Sequence, residues 1–298
     1  MARTFRGTYT VMITPYDEAG VVDARALAAF TDWQIREGVH GLIPLGSTGE
    51  FLSLSREEKT LVAETVIRAA AGRVPVLIGT GAEDTREVAR ASREAEQLGA
   101  DGVMIIPPFY STPTEDELFH HYKTVAEAIS LPIMVYNNPA TANVDLKPPI
   151  VARLSEIDNC RYIKESTLEV TRIRDIQRLC GERMIVFGGI LGFESFCEGA
   201  QGWVAVPSNI APGPLSRLFT LVVDEERLTE ARALYLHWLP IIQAVFGQAY
   251  VGGTKALLKH MGFPAGAPRP PRLPVPASED ARLGELAREF GLSFPTGL

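Results

Sequence analysis

Lys164 is the residue whose setting in this chain most invites chemistry. It lies in Cys160-Arg161-Tyr162-Ile163-Lys164-Glu165-Ser166, a short apolar run that reads as a β-strand. Of the other lysines, Lys59, Lys123 and Lys259 fall in helix-like stretches, Lys147 precedes Pro148-Pro149, and Lys255 follows Gly252-Gly253. An ammonium withdrawn from water tends to lose its proton. The neutral amine that remains attacks carbonyls to form a Schiff base. The structural alternative is a lysine paired with a carboxylate such as Glu165.

Several other groups can serve that chemistry. Gly46-Ser47-Thr48-Gly49-Glu50 directly follows an apolar run. Its two glycines allow a tight turn with consecutive exposed N–H groups, and the hydroxyls of Ser47 and Thr48 add donors, which suits a small carboxylate. A capping turn before the next helix is the alternative. Tyr136 ends the run Ile133-Met134-Val135-Tyr136-Asn137-Asn138-Pro139, one strand from Lys164. A phenol there can shuttle a proton when hydrogen-bonded to a hydroxyl such as that of Ser47, or it can simply pack with a wet tip. Pro107-Pro108-Phe109-Tyr110 stiffens a loop and aims aromatics outward, as a subunit contact, a substrate wall or a core cap. Gly188-Gly189 leaves room for a ligand or a close backbone approach, and Val204 and Ala205 bring carbonyls near a bound carboxyl or imine.

These groups need a scaffold that gathers strand ends. Strand-like runs are expected at 9–14, 41–45, 74–79, 102–106, 133–136, 161–164, 184–187 and 203–206. Helical patterns lie between them at 24–38, 56–71, 85–98, 115–128, 149–154, 168–179, 192–198 and 212–223. The strands are nearly continuous apolar runs, the pattern of parallel strands covered on both faces. Eight strand–helix units with right-handed crossovers predict an α/β fold, a closed (β/α)8 barrel over 1–225; a doubly wound open sheet is the alternative. Gly38, Gly72 and Gly99 stand where helix patterns stop. The remainder, 226–298, is expected to be a helical extension packed on the barrel, with helices at 228–246, 250–261 and 279–290 and a Pro-rich strap at 264–276. Active sites of such barrels lie at the C-terminal ends of the strands, which is where each motif above falls.

Composition narrows the function. The 298 residues are 46% hydrophobic and 22% charged, ordinary for a soluble globular protein, and the net charge of -7 argues against a nucleic-acid binder. The arginines of 172–178 sit among carboxylates and read as a solvated face. Cys160, Cys180 and Cys197 form no metal-ligand spacing, and their odd number suggests reduced thiols. The five histidines form no metal cluster; the adjacent pair His120-His121 reads as helix surface. The N-terminus lacks a secretory pattern and no stretch approaches the ~18 apolar residues of a membrane span, so the expected location is cytoplasmic.

Together these segments resemble the dihydrodipicolinate synthase/N-acetylneuraminate lyase family. The likeness rests on Gly-Ser-Thr-Gly-Glu at 46–50, Tyr-Asn-x-Pro at 136–139 and Ile-Lys-Glu at 163–165, in that order at strand ends, and runs from about Gly7 to the terminal helices. The resemblance implies a (β/α)8 barrel with a helical C-terminal extension, usually a homotetramer, with no metal or organic cofactor. It implies that Lys164 forms a Schiff base with a 2-oxo acid such as pyruvate, that Tyr136 is the acid/base, and that Ser47 completes a proton relay. Thr48 and the N–H groups of the loop, Gly46 and Gly49 among them, would bind the carboxylate, and Tyr110 would enter the neighbouring subunit's relay. The protonated imine is an electron sink, so one enamine serves aldol condensation, cleavage, dehydration or deamination. Two positions depart from the family pattern. Thr141 stands where synthases carry an Arg for the aldehyde substrate's carboxylate, and a hydroxyl cannot reproduce a guanidinium's bidentate contact. Gly189-Ile190-Leu191-Gly192-Phe193 is apolar where sialic-acid lyases hold sugar hydroxyls. A smaller second substrate, a 2-keto-3-deoxy acid dehydratase or aldolase, or a pyrroline-hydroxycarboxylate deaminase fits better. A non-enzymatic 2-oxo acid sensor or scaffold is the remaining alternative, and the intact set of Lys164, Tyr136, Ser47 and Thr48 argues against it.

Overall fold

The computed structural model describes residues 4–247 and 249–295. Eight strands alternate with eight helices: β1 (Gly7–Val11), α1 (Ala24–Arg36), β2 (Gly41–Ile43), α2 (Arg56–Ala70), β3 (Leu77–Gly79), α3 (Thr85–Leu98), β4 (Gly102–Ile105), α4 (Glu115–Ala126), β5 (Ile133–Asn137), α5 (Pro148–Leu154), β6 (Cys160–Glu165), α6 (Arg172–Cys180), β7 (Ile185–Gly188), α7 (Gly192–Cys197), β8 (Gly202–Ala205) and α8 (Pro212–Phe219). Every neighbouring pair is parallel, in the order β2-β1-β8-β7-β6-β5-β4-β3. The two ends of that order meet: Leu42 bridges to Val76, the Leu42 N–H donates to the Pro75 carbonyl at 3.0 Å, and the Gly79 N–H donates to Pro44 at 3.1 Å. The barrel is thereby closed, and no strand presents an open edge.

Burial explains why the strands read as unbroken apolar runs. All five residues of β5 are buried, because one face lines the barrel and the other meets helices. Near the N-terminal ends of the strands the interior is plugged by aromatics. Tyr9 meets Phe187 edge-on at 5.4 Å, and Phe5 stacks on Tyr162 at 4.8 Å. That plug leaves the C-terminal ends as the open mouth. Local signals start the helices: Ser55 and Glu58 form a capping box for α2, Thr114 and Glu117 one for α4, each cap contributing on the order of 1 kcal/mol.

Beyond the barrel, α9 (Leu228–Ala244), α10 (Tyr250–His260) and α11 (Ala277–Glu289) follow, with the Pro-rich strap between the last two. All strands and helices foreseen from the sequence are present, with ends shifted by a few residues. α6, expected from 168, begins at Arg172. The Thr167 side chain accepts from the Glu169 N–H, a local turn that competes with helix. The helix expected over 212–223 widens at its end into a π-helical turn at Thr220–Asp224.

Two surface expectations are corrected. His120 is exposed, but His121 is only 3% exposed; its Nδ1 lies 2.8 Å from the Thr85 hydroxyl, and burial lowers its pKa to about 4. Arg172 is not part of a solvated face either. It is buried and grips Asp145, with 2.9 Å between Nη2 and Oδ2, and Glu169 at 2.8 Å. Periodicity ranks hydrophobicity along a helix and is blind to partners that come from other elements.

Candidate active site

The register of β5 on β6 sets Tyr136 directly beside Lys164. Paired residues of parallel neighbours point to the same face, so the two side chains share the mouth. Lys164 Nζ lies 4.0 Å from the centre of the Tyr136 ring. Lys164 is 5% exposed, and burial alone, with no charged neighbour contributing, lowers its pKa to about 7. About half of such a group is a neutral nucleophile at neutral pH.

Glu165 is not its partner. Successive strand residues face opposite ways, and the Glu165 carboxylate accepts from Asn137 Nδ2 at 2.9 Å and from the Thr167 N–H at 2.8 Å. Asn137 Oδ1 in turn takes the Leu146 N–H at 2.9 Å. This polar belt, with Asp145 and Arg172, fixes the loop after β5 from behind, and among the described residues Lys164 has no carboxylate in salt-bridge reach.

The Tyr136 phenol is buried, and its pKa is raised by that burial; contacts from Asn138, Ser166 and Ser47 oppose the rise. Asn138 Nδ2 donates to the phenol oxygen at 2.9 Å. A protonated phenol surrounded by donors can give up its proton and have the resulting phenolate stabilised in place. Asn138 and Ser166 were not foreseen as site residues. Ser166 is two residues beyond Lys164 and Asn138 two beyond Tyr136, so the alternation rule of strands would have placed both on the mouth-facing side.

The loop of Gly46, Ser47, Thr48 and Gly49 is bracketed by Leu45 at φ 61 and Glu50 at φ 56. Left-handed backbone is unfavourable for such side chains and persists only where the surroundings enforce it. The enforcement is visible. Thr14 Oγ1 donates to the Gly49 carbonyl at 2.8 Å, and Glu50 is buried against Lys255 Nζ at 2.8 Å and the Arg269 N–H at 2.8 Å. The Arg269 guanidinium spans the Ser53 carbonyl (2.8 Å), the Gly20 carbonyl (2.7 Å) and Glu58 (2.8 Å). Burial outweighs the attraction of Glu50 and lowers the pKa of Lys255 to about 8. Thr48 is buried and Ser47 half-buried. A small recess lies among Gly46, Ser47, Ile106, Tyr136 and their neighbours. A larger hollow, between α2 and α3, holds neither Lys164 nor Tyr136.

The remaining expected residues are placed as follows. Gly189 follows β7, and a Cβ there would come 1.7 Å from Ser166 Oγ, so its bareness is what lets that hydroxyl stand. Val204 is fully buried in β8, opposite Tyr9. Thr141 is exposed and its hydroxyl turns back on the Asn138 carbonyl at 3.4 Å. Tyr110 is 85% exposed. Its loop is nevertheless firmly held, because Glu83 accepts from the N–H groups of Phe109, Tyr110 and Ser111 at 2.9, 3.1 and 2.9 Å. Tyr250, at the start of α10, also reaches the site, its hydroxyl against those of Thr48 and the guanidinium of Arg272. Its position carries no local signal in the sequence.

A closed (β/α)8 barrel with a desolvated lysine over a tyrosine at its mouth defines a Schiff-base lyase or synthase acting on pyruvate-like 2-oxo acids. Within that class the chain belongs to the dihydrodipicolinate synthetase family, whose profile matches residues 4–289. It is 38% identical over 273 residues to a 4-hydroxy-tetrahydrodipicolinate synthase of Nitrobacter hamburgensis, covering 91% of this chain and 92% of the relative. The chloride-inhibited dihydrodipicolinate synthase of Acinetobacter baumannii, solved with pyruvate, superposes with a TM-score of 0.94 at 32% identity, over 97% of this chain and 100% of the other. A prophage protein of the same family from E. coli K12, also in complex with pyruvate, superposes at 0.91 with 30% identity, over 97% and 100%.

Proposed function

We propose that Lys164 is the imine-forming residue and that pyruvate or a related 2-oxo acid is its substrate. The observation that carries this is the uncompensated burial of Lys164 beside Tyr136. The neutral Nζ adds its electron pair to C2 of the 2-oxo acid, and the carbonyl π pair moves to oxygen. Tyr136 protonates that oxygen to a hydroxyl, its phenolate takes a proton from the adduct's ammonium nitrogen, and the restored phenol passes that proton to the hydroxyl, which leaves as water as the freed nitrogen lone pair forms the protonated imine. The phenolate, held by Asn138 and the hydroxyls of Ser47 and Ser166, then takes up a proton from the substrate. Loss of a C3 proton gives the enamine. Thr48 and the N–H groups around Gly46 and Gly49 hold the carboxylate, and Ser47 relays protons with Tyr136. Gly189 and Val204 shape the wall opposite.

The exposed, uncharged Thr141 favours a second substrate other than the aldehyde taken by lysine-pathway synthases. The same enamine then expels a β-hydroxyl or an amine, as a 2-keto-3-deoxy acid dehydratase or a pyrroline-hydroxycarboxylate deaminase does. Tyr110 joins the relay of a neighbouring subunit in a cytoplasmic homotetramer. No cofactor takes part.

Borohydride reduction in the presence of pyruvate tests the reading. A stable adduct of reduced-pyruvate mass, lost in Lys164→Ala, is the expected result. An adduct that persists in the folded Lys164→Ala protein would overturn the assignment. If pyruvate gives none, the trap is repeated with 2-keto-3-deoxy acids, and failure with both would leave the sensor reading standing.

A further inference from the structure

Two arginines ride on the strap between α10 and α11, three residues apart, and they are used differently. Arg269 is consumed by structure: its guanidinium is saturated by Glu58 and the carbonyls of Gly20 and Ser53. Arg272 is not. It is half-buried, and among the described residues no carboxylate lies within 4 Å of it. Its guanidinium carbon sits 5.3 Å from the centre of the Tyr250 ring. The Tyr250 hydroxyl is in reach of both the Thr48 side chain and this guanidinium.

The chain holds Arg272 there deliberately. The strap is tied before it, by Lys255 Nζ donating to the Ala267 carbonyl at 3.3 Å and by the Arg269 contacts. It is tied after it as well. A Cβ on Gly252 would stand 3.0 Å from the Leu273 carbonyl and 3.4 Å from Val275 Cγ1, so the strap lies on α10 only because that position has no side chain. The Arg272 N–H closes the intervening turn on the Arg269 carbonyl at 3.1 Å. A guanidinium ordered on an aromatic platform, without a counter-ion, is a prepared carboxylate receptor.

We propose that Arg272, oriented by Tyr250, binds a second carboxylate of the substrate, remote from the carbon that joins Lys164. The substrate class is therefore a 2-oxo acid carrying a further carboxylate on its chain. This rests on the imine reading above, since it places the first carboxylate at Thr48. Thr141, exposed and folded back on its own loop, supplies no charge for the task.

The test compares 2-oxo diacids of four to six carbons with the 2-oxo monoacids of equal length, which lack the second carboxylate. Binding is read by calorimetry and imine formation by borohydride trapping, in the whole protein and in Arg272→Gln and Arg272→Lys. Pyruvate serves as the internal reference. The expected result is that at one chain length the diacid binds at least tenfold more tightly than the matching monoacid. In Arg272→Gln this preference, taken relative to pyruvate, falls at least tenfold, with partial recovery in Arg272→Lys. A preference absent at every length, or one unchanged in Arg272→Gln, overturns the proposal. Trapping that fails while the Arg272-dependent preference in calorimetry holds would sink the imine reading alone, and the converse would sink only this one.

Discussion

At the scale of single residues, the desolvated amine of Lys164 sets both reactivity and cost. Its pKa of about 7 predicts that the rate of borohydride-trapped adduct formation rises with pH and levels off above about 7. A flat profile between pH 6 and 8 would show that the amine is not titrating there. The same burial opposes folding. Below pH 7 Lys164 is charged in both folded and unfolded chains and the full desolvation penalty applies. It fades as pH rises from 7 towards the unfolded value near 10.5, about 1.4 kcal/mol for each pH unit of separation as an upper bound. Lys164→Met should therefore be inactive yet more stable, by roughly 1–3 kcal/mol in urea at pH 7, and a loss of stability would contradict the picture. Tyr136→Phe keeps the ring beneath Nζ but removes the proton donor. Turnover should fall by about 10²–10⁴-fold, while circular dichroism and thermal midpoint stay near the parent's.

Elements decide where such residues meet, and here the sequence was legible to different depths. Lys164 and Tyr136 could be found because each sits at the end of an apolar run, and parallel strands in a barrel bring consecutive ends together. The 46–50 loop was visible from its glycines and hydroxyls. What holds that loop in its left-handed backbone was not visible, because Glu50 is answered by Lys255 and Arg269, which sit in segments no periodicity connects to it. His121 and Arg172 were misplaced for the same reason, and Tyr250 and Arg272 escaped notice altogether. Local pattern predicts strands, helices and caps; pairings across 100 or more residues follow only once the barrel has closed. The buried pair at Glu50 carries its own prediction. Glu50→Gln leaves the Lys255 ammonium buried without its partner and should lower stability by about 3–5 kcal/mol. Adding Lys255→Met should restore a good part of it. A double variant no better than Glu50→Gln would show that the pair is not coupled.

The whole molecule has one surface that a single chain leaves unexplained. Tyr110 is 85% exposed on a loop clamped by Glu83 and by Asn143, whose Nδ2 donates to the Tyr110 carbonyl at 2.8 Å. Ordering an exposed aromatic is costly unless something receives it. Sedimentation should find a particle of four times the 32.5 kDa chain mass, and Tyr110→Ala should shift it towards smaller species. A monodisperse single chain with full turnover would remove Tyr110 from the site.

The tie between Glu50 and the strap also has a consequence in time. The Arg269 N–H that caps the Glu50 carboxylate lies 219 residues further along the chain. At about 5–20 residues per second, a ribosome needs roughly 10–45 s to travel from one to the other. Throughout that interval the nascent chain already possesses Ser47 and Thr48, and later Tyr136 and Lys164, but not the segment that locks the loop of 46–49 in its unfavourable backbone. Translation thus works as a timer: a growing polypeptide that met the cell's keto acids would hold a lysine but no completed pocket, and reactivity would arrive only once the strap had been made.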